Sequence, residues 1–231
     1  MAESTSSGTD RQAFLLRVSL ALGRSRIEPP AEGPPSVDES LARLATADDD
    51  LPGMFAQQAK AIGMAVHEVT AGDLVAQILS LAAQLEVRRA VVNMKDDPGV
   101  ADAMRQAGIE VLGDPRHLPA MDAQFDTDLG VTDVHAAVAE SGTLVCASDR
   151  LHSRGPSLVP PAHVAVVHRS DILPDMIDYW ATLREPVANG ALPSSISMIT
   201  GPSKTADIEG VLITGVHGPK EVHIMLVGDE A

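Results

Sequence analysis

The rhythm of apolar and polar positions changes at Met64. Before it, Phe14, Leu15, Val18 and Leu22 fall on one stripe of a helix predicted from Arg11 to about Leu22, with Thr9 or Asp10 as its cap and Gly23 as its end. The Ser/Thr/Gly-rich start, residues 1–9, is expected to be disordered. Between residues 27 and 35 four prolines and a glycine exclude helix and sheet, which makes that stretch a linker. A short helix is expected over 38–45. The Asp48-Asp49-Asp50 run marks the start of another over 51–63, because carboxylates favour the positive end of a helix. Three adjacent aspartates point in different directions, which argues against a metal site there.

From Met64 onward the pattern alternates. Strands are predicted over 64–69, 89–93 and 109–112, separated by an amphipathic helix over 70–85 capped by Thr70 and a helix over 98–107 with Pro98 in its first turn. This alternation signals a parallel sheet with covering helices. Residues 113–129 are loop-rich. In the stretch 130–160, two apolar runs flank Ser141-Gly142 and read as paired or consecutive buried strands. A strand over 163–167, a helix over 172–183 carrying Trp180, strands over 195–200 and 222–227 and a frayed acidic tail complete the chain. No repeat of fixed period is visible. The fold class is therefore α/β, a mostly parallel sheet with helices on both faces in one domain over 36–231. An N-terminal helical segment and linker over 1–35 precede it.

Composition narrows the function classes. At 231 residues and 45% apolar the chain has ample material for a core, and with 2% aromatic residues that core must be aliphatic. The scarcity of aromatics removes stacking platforms for single strands, and a net charge of -15 repels phosphate backbones, so nucleic acid is not an expected partner. No run approaches the roughly eighteen apolar residues of a membrane span. Cys146 is the lone cysteine, which excludes a disulfide framework, a zinc knuckle and an iron–sulfur ligand set within the chain. No signal pattern opens the sequence, and a cytoplasmic location is expected.

Four segments carry candidate chemistry. Glu140 stands at the lip of the Ser-Gly turn between apolar runs. Burial there would raise its pKa and suit it to acid, base or nucleophile work; alternatively it is a solvent-facing turn residue. In Gly201-Pro202-Ser203-Lys204-Thr205 a predicted strand ends and a short helix is expected to open. Free N–H groups, hydroxyls and the lysine would form an anion site, with ordinary capping by Ser203 or Thr205 as the alternative. The glycine spacing does not fit a Walker A loop. His217, between Gly215 and Gly218, stands either as a proton shuttle or anion donor, or as a turn residue bonded locally. Arg150, His152 and Arg154 share a polar loop, and arginine suits bidentate recognition of carboxylate or phosphate. Zincin, serine-hydrolase elbow and dinucleotide fingerprints are absent, His163 and His168 fall on opposite faces of a strand, and Cys146 reads as a buried, inert thiol.

Read in order, GVTDVHAAVAESGTLV (130–145), SLVPPAHVAVV (157–167), ITGPSKTADIEG (199–210) and GVHGPKEVHIML (215–226) closely resemble the lactate-utilisation (LUD) domain family. The resemblance implies the fold of the CoA-transferase and ribose-phosphate-isomerase-like superfamily. It also implies a role in oxidising L-lactate to pyruvate alongside partner subunits that carry iron–sulfur clusters. This chain, which lacks cluster ligands, is then expected to bind no cofactor itself and to handle a small anionic ligand, with a homo-oligomer left open. In CoA-transferase relatives a glutamate before a glycine-containing turn attacks the acyl-CoA, and Glu140 resembles that position. The expected site gathers Glu140 and His217 as catalytic groups, with Arg150, Arg154, Gly201, Ser203, Lys204, Thr205 and Gly218 as anion-binding ones. It is expected at the carboxyl ends of the strands. Two rival readings are a stand-alone enzyme of the transferase or isomerase type using Glu140, and a non-catalytic scaffold of a redox complex.

Overall fold

A computed structural model of the chain describes residues 11–23, 38, 43–95, 98–112, 121–149, 152–208 and 211–228. The chain divides into two units, 1–42 and 43–231. In the first, α1 (Arg11–Ala21) forms where the apolar stripe predicts it. The expectations for 1–9 and 27–35 lie outside the described residues.

The second unit opens with α2 (Leu51–Ala61), whose start the aspartate run does set. Asp50 caps the helix by accepting from the Gly53 N–H, while Asp49 accepts from the N–H and hydroxyl of Thr46, which hold its carboxyl below the usual range. Next come β1 (Ala65–Thr70), α3 (Leu74–Gln84), β2 (Arg89–Asn93), α4 (Val100–Gln106) and β3 (Glu110–Leu112). The predicted helix over 70–85 starts later because Thr70 ends the strand and exchanges hydrogen bonds with the helix N-cap, Asp73.

A short α5 (Met121–Gln124) precedes the stretch 130–148, which divides into β4 (Leu129–Asp133), β5 (Ala136–Val138) and β6 (Thr143–Ser148). After α6 (Gly155–Leu158) and β7 (Ala162–His168), the helix expected from Ile172 is displaced. Ile172–Leu173 form β8, Pro174 interrupts, and Asp175 caps α7 (Met176–Thr182) by accepting from the Asp178 N–H. Helix α8 (Arg184–Ala188) and β9 (Ser195–Ile199) follow. The Ser-Lys-Thr segment opens a strand rather than a helix: β10 (Lys204–Ile208) pairs antiparallel with β11 (Val211–Thr214), and β12 (Glu221–Gly228) ends the described chain. Thr205 and Ile208, followed after two residues by the β-branched, apolar run Val211–Thr214, favour a hairpin over a helix start.

Six strands form one sheet, parallel throughout, in the order β1-β12-β7-β4-β2-β3. Period-two alternation divides its side chains cleanly. Val164, Val166, Met225 and Val227 pack under α3 and α4; Ala165, Val167, Ile224 and Leu226 pack against α2 and a second sheet. That second sheet, β8-β5-β6-β9, contains the paired strands expected about Ser141-Gly142 and the strand expected over 195–200; the apolar pattern does not announce that they separate from the parallel sheet. Its outer face carries α7 through Tyr179, Val138 and Val145. Gly142 allows its hairpin to seat on α2: with φ at +65°, a Cβ there would fall 2.5 Å from the Ala59 nitrogen. Among the described residues no helix is long and apolar enough to cross a membrane.

Candidate functional site

The topology itself nominates a place for a ligand. The connection leaving β2 passes through α4 to β3 on one side, whereas the connection leaving β4 passes through the second sheet to β7 on the other. Chains that diverge beyond the carboxyl ends of adjacent parallel strands leave a crevice between them. Such a crevice, of about 380 Å³, is present here, with Asn93 at the end of β2 and Lys95 just beyond it, Thr132, Asp133 and His135 from β4 and its exit, Cys146 and Ser148 on β6, and Asp149, His152, Ser153 and Ser157 closing the side.

Each wall is fixed by the backbone. The Asp133 carboxylate accepts from the Lys95 N–H at 2.7 Å, tying the ends of β4 and β2 together. Asn93 accepts from the Ser153 N–H at 3.2 Å and so pins the loop that leads into α6. That helix lies directly on β4 because Gly130 has no side chain: a Cβ would overlap the Pro156 carbonyl oxygen.

The floor is a polar chain. The Thr132 and Ser157 hydroxyls lie beside the Cys146 thiol and partly oppose the rise in its pKa, and Thr132 Oγ1 lies 2.9 Å from Nε2 of the fully buried His163. Burial, reinforced by the Asp133 charge, pushes the Cys146 thiol up to about 12, so at neutral pH it is a hydrogen-bonding thiol and not a thiolate. Burial lowers His163 to about 4, which keeps it neutral. On the open side, Asp149 accepts both the His152 N–H at 2.8 Å and the His152 Nδ1 at 3.0 Å. A carboxylate on Nδ1 fixes the proton there and leaves Nε2 as an acceptor, the arrangement of an oriented general base. Among the described residues no group of three His, Cys, Asp or Glu side chains is placed to hold a metal ion.

The residues singled out from sequence divide among three places. Arg150 lies outside the described residues. Arg154 is exposed, its carbonyl accepting from Ser157, while its neighbour His152 lines the crevice. Glu140 is carried away from the carboxyl edge by β5 to the hairpin turn on α2. Burial and the charge of Asp175 raise its pKa, opposed by the Met176 N–H and by Arg43. Arg43 spans Asp175 and Asp178, each at 2.9 Å.

Ser203, Lys204, His217 and Gly218 do come together, but at the amino edge of the parallel sheet. The Ser203 N–H donates to the Pro219 carbonyl, the His217 N–H to Ser203 Oγ, and Lys204 Nζ to the Ile62 carbonyl; Gly201 packs on that same Ile62, and Thr205 is paired with Ile213 in the hairpin. Glu140 and this cluster therefore lie away from the carboxyl-edge site expected for them, and the Glu140 turn is joined to the 200–204 segment through the hydroxyls of Ser141, Thr143 and Thr200, spaced 2.8 and 2.9 Å. Asn93, Asp133 and His135 were visible in the sequence as polar residues interrupting apolar strands, the signal that a chain is leaving a sheet.

A parallel α/β protein with a ligand-sized crevice at its topological switch point is the class these features define. The chain belongs to the LUD domain family, whose model matches residues 53–227. It is 30% identical to the lactate utilization protein C of Geobacillus thermodenitrificans over 95% of this chain and 97% of that one. It is likewise 30% identical to the lactate utilization protein C 1 of Bacillus mycoides over 96% and 98%. Against the Bacillus subtilis lactate utilization protein C, identity reaches 43% over 103 residues, 44% of this chain. A crystal structure of a DUF162 family protein from Deinococcus radiodurans superposes with a TM-score of 0.58 at 21% identity, covering 78% of this chain and 97% of that one, and has the same fold.

Proposed function

We propose that this chain takes part in lactate utilisation, as a subunit that binds the small hydroxy or oxo acid while iron–sulfur partner proteins accept the electrons. The observation that carries the reading is the full-length similarity to proteins named lactate utilization protein C. The crevice supports it chemically. Its hydroxyls, amide and Lys95 suit a small carboxylate, and His152, held by Asp149, stands ready to take the proton of an α-hydroxyl. Oxidation of L-lactate to pyruvate releases two electrons and two protons; His152 would take the hydroxyl proton, the proton from the α-carbon would leave to solvent, and the electrons would pass to the partner clusters.

Deletion of the gene followed by growth on L-lactate as sole carbon source tests the role. Restored growth with the wild-type chain but not with His152→Ala supports the whole reading. Growth unaffected by the deletion sinks it, and rescue by His152→Ala removes the crevice from it. Iron–sulfur proteins co-purifying with the tagged chain would support the partner assignment, and a chain that emerges alone would count against it.

A further inference from the structure

We infer that β9 is a self-association edge, at which two copies of this chain pair antiparallel and join their four-stranded sheets into one of eight. β9 is the outermost strand of its sheet, with β6 on one side and no strand on the other among the described residues. Outer strands are ordinarily guarded by a charge, a proline or a bulge. β9 has none of these over Ser195–Ile199, and the whole stretch 191–203 contains no charged residue in a chain where 21% of residues are charged.

Beside the strand lies an apolar groove of about 580 Å³ lined by Trp180, Leu183, Val187, Leu192, Pro193 and Ile196, with Arg184 at its rim. Trp180, Val187, Leu192 and Met198 are each more than 40% exposed. A patch of this kind marks an association site.

Charge decides what occupies it. With a net charge of -15, two copies repel each other across most of their surfaces, and a two-fold interface places the same patch against itself. The charge-free stretch along β9 is suited to such self-contact. Register follows from the side-chain pattern. Ile199 packs inward toward α2 and Ile196 toward α7, so Ile196 and Met198 share the groove face. Antiparallel pairing centred on Ser197 uses all five residues of the strand. It sets Ile196 opposite Met198 of the partner subunit and brings the two Trp180 grooves to the same side of the joined sheet.

Sedimentation of the full-length chain, with the emission of its single tryptophan followed on dilution, tests the inference. The expected result is a dimer whose Trp180 emission shifts to the red as it dissociates, together with a monomeric Met198→Lys variant that unfolds cooperatively at the temperature of the dissociated wild type at high dilution. A monomeric wild type overturns the proposal, whether the face is then covered by this chain's own N-terminal segment, by another protein or by nothing; so does a Met198→Lys variant that remains dimeric.

Register is read separately by crosslinking, in a Cys146→Ser background because Cys146 is the β6 neighbour of Ser197. Opposed Cα atoms in an antiparallel pair lie about 4.5–5.5 Å apart, within disulfide range. Ser197→Cys should then crosslink two copies on mild oxidation, whereas Ser195→Cys should not. The reverse pattern overturns the register even if Met198→Lys fails to fold.

Discussion

The amino edge of the sheet and its carboxyl edge make opposite use of polar residues. At the amino edge, Ser203, Lys204 and His217 lie within a glycine- and proline-rich run. Their hydrogen bonds go to the Pro219 and Ile62 carbonyls and, from the His217 N–H, to Ser203 Oγ, fastening the hairpin base to the start of β1 and β12. At the carboxyl edge, segments near residues 93, 133, 147, 152 and 157 are brought together by topology. Their bonds, such as Asp133 to the Lys95 N–H, brace the walls of an opening instead of filling it. The contrast teaches that a dense local motif records how hard a turn is to build. A crevice records where chain connections part.

The largest expected effect separates fold from site. Gly142→Val drives a branched side chain into the α2 backbone at positive φ, and should cost on the order of 3 kcal/mol or more in urea unfolding. A variant of near-native stability would show that the hairpin is not seated as described. Next in size is a pH effect beneath the crevice. His163 falls from an unfolded value near 6.5 to about 4 in the fold, so between those values the unfolded chain binds the proton and the folded chain does not. Stability should be complete above about pH 6.5 and fall by about 3 kcal/mol as the pH drops toward 4. Unfolding free energies across that window check it, and His163→Leu, with no proton to bind, should lessen the fall, leaving the part owed to His67 and His223, whose pKa values burial also lowers.

The third test addresses the crevice directly. His152→Ala should reduce lactate-dependent growth or turnover at least about tenfold while changing stability by no more than about 1 kcal/mol. The smallest effects belong to the amino edge and the hairpin turn. Lys204→Ala, His217→Ala and Glu140→Gln should each leave lactate-dependent growth intact and shift stability by about 1 kcal/mol or less. Loss of growth in a folded Lys204→Ala or Glu140→Gln protein would reverse the comparison and return the chemistry to the motifs.

The parallel sheet was legible because its strands, buried on both faces, read as short apolar runs between helical stretches: 89–93, 162–168 and 221–228. The family was legible in four ordered segments. The strands on either side of Ser141-Gly142 and the strand over 195–200 were legible too, but not that they form a sheet of their own, because β8 has two residues and β5 three, too short for a period to register. The apolar run from Val131 to Ala139 hides a change of sheet, betrayed only by Asp133 and His135. Those two residues, with Asn93 at the end of β2, line the crevice. The glycine of Glu-Ser-Gly drew attention to Glu140, yet its structural reason is the approach to Ala59, which depends on an element eighty residues upstream and has no local signature.

The placement of β12 has a consequence for how the protein is made. Among the described residues β1 has a single strand neighbour, and that neighbour is the last strand described: Ala65 pairs beside His223, and His67 Nε2 lies 3.2 Å from His223 Nδ1. On the ribosome, β1 emerges first and waits for its partner. At typical elongation rates that wait is on the order of ten seconds. During it the α2–β1 segment has no sheet to join, and a chain cut short before Glu221 would leave β1 exposed and also leave β7 without its second neighbour. The last eight strand residues thus act as the latch of the whole sheet, and loss of the C-terminus should be read by the cell as failure to fold.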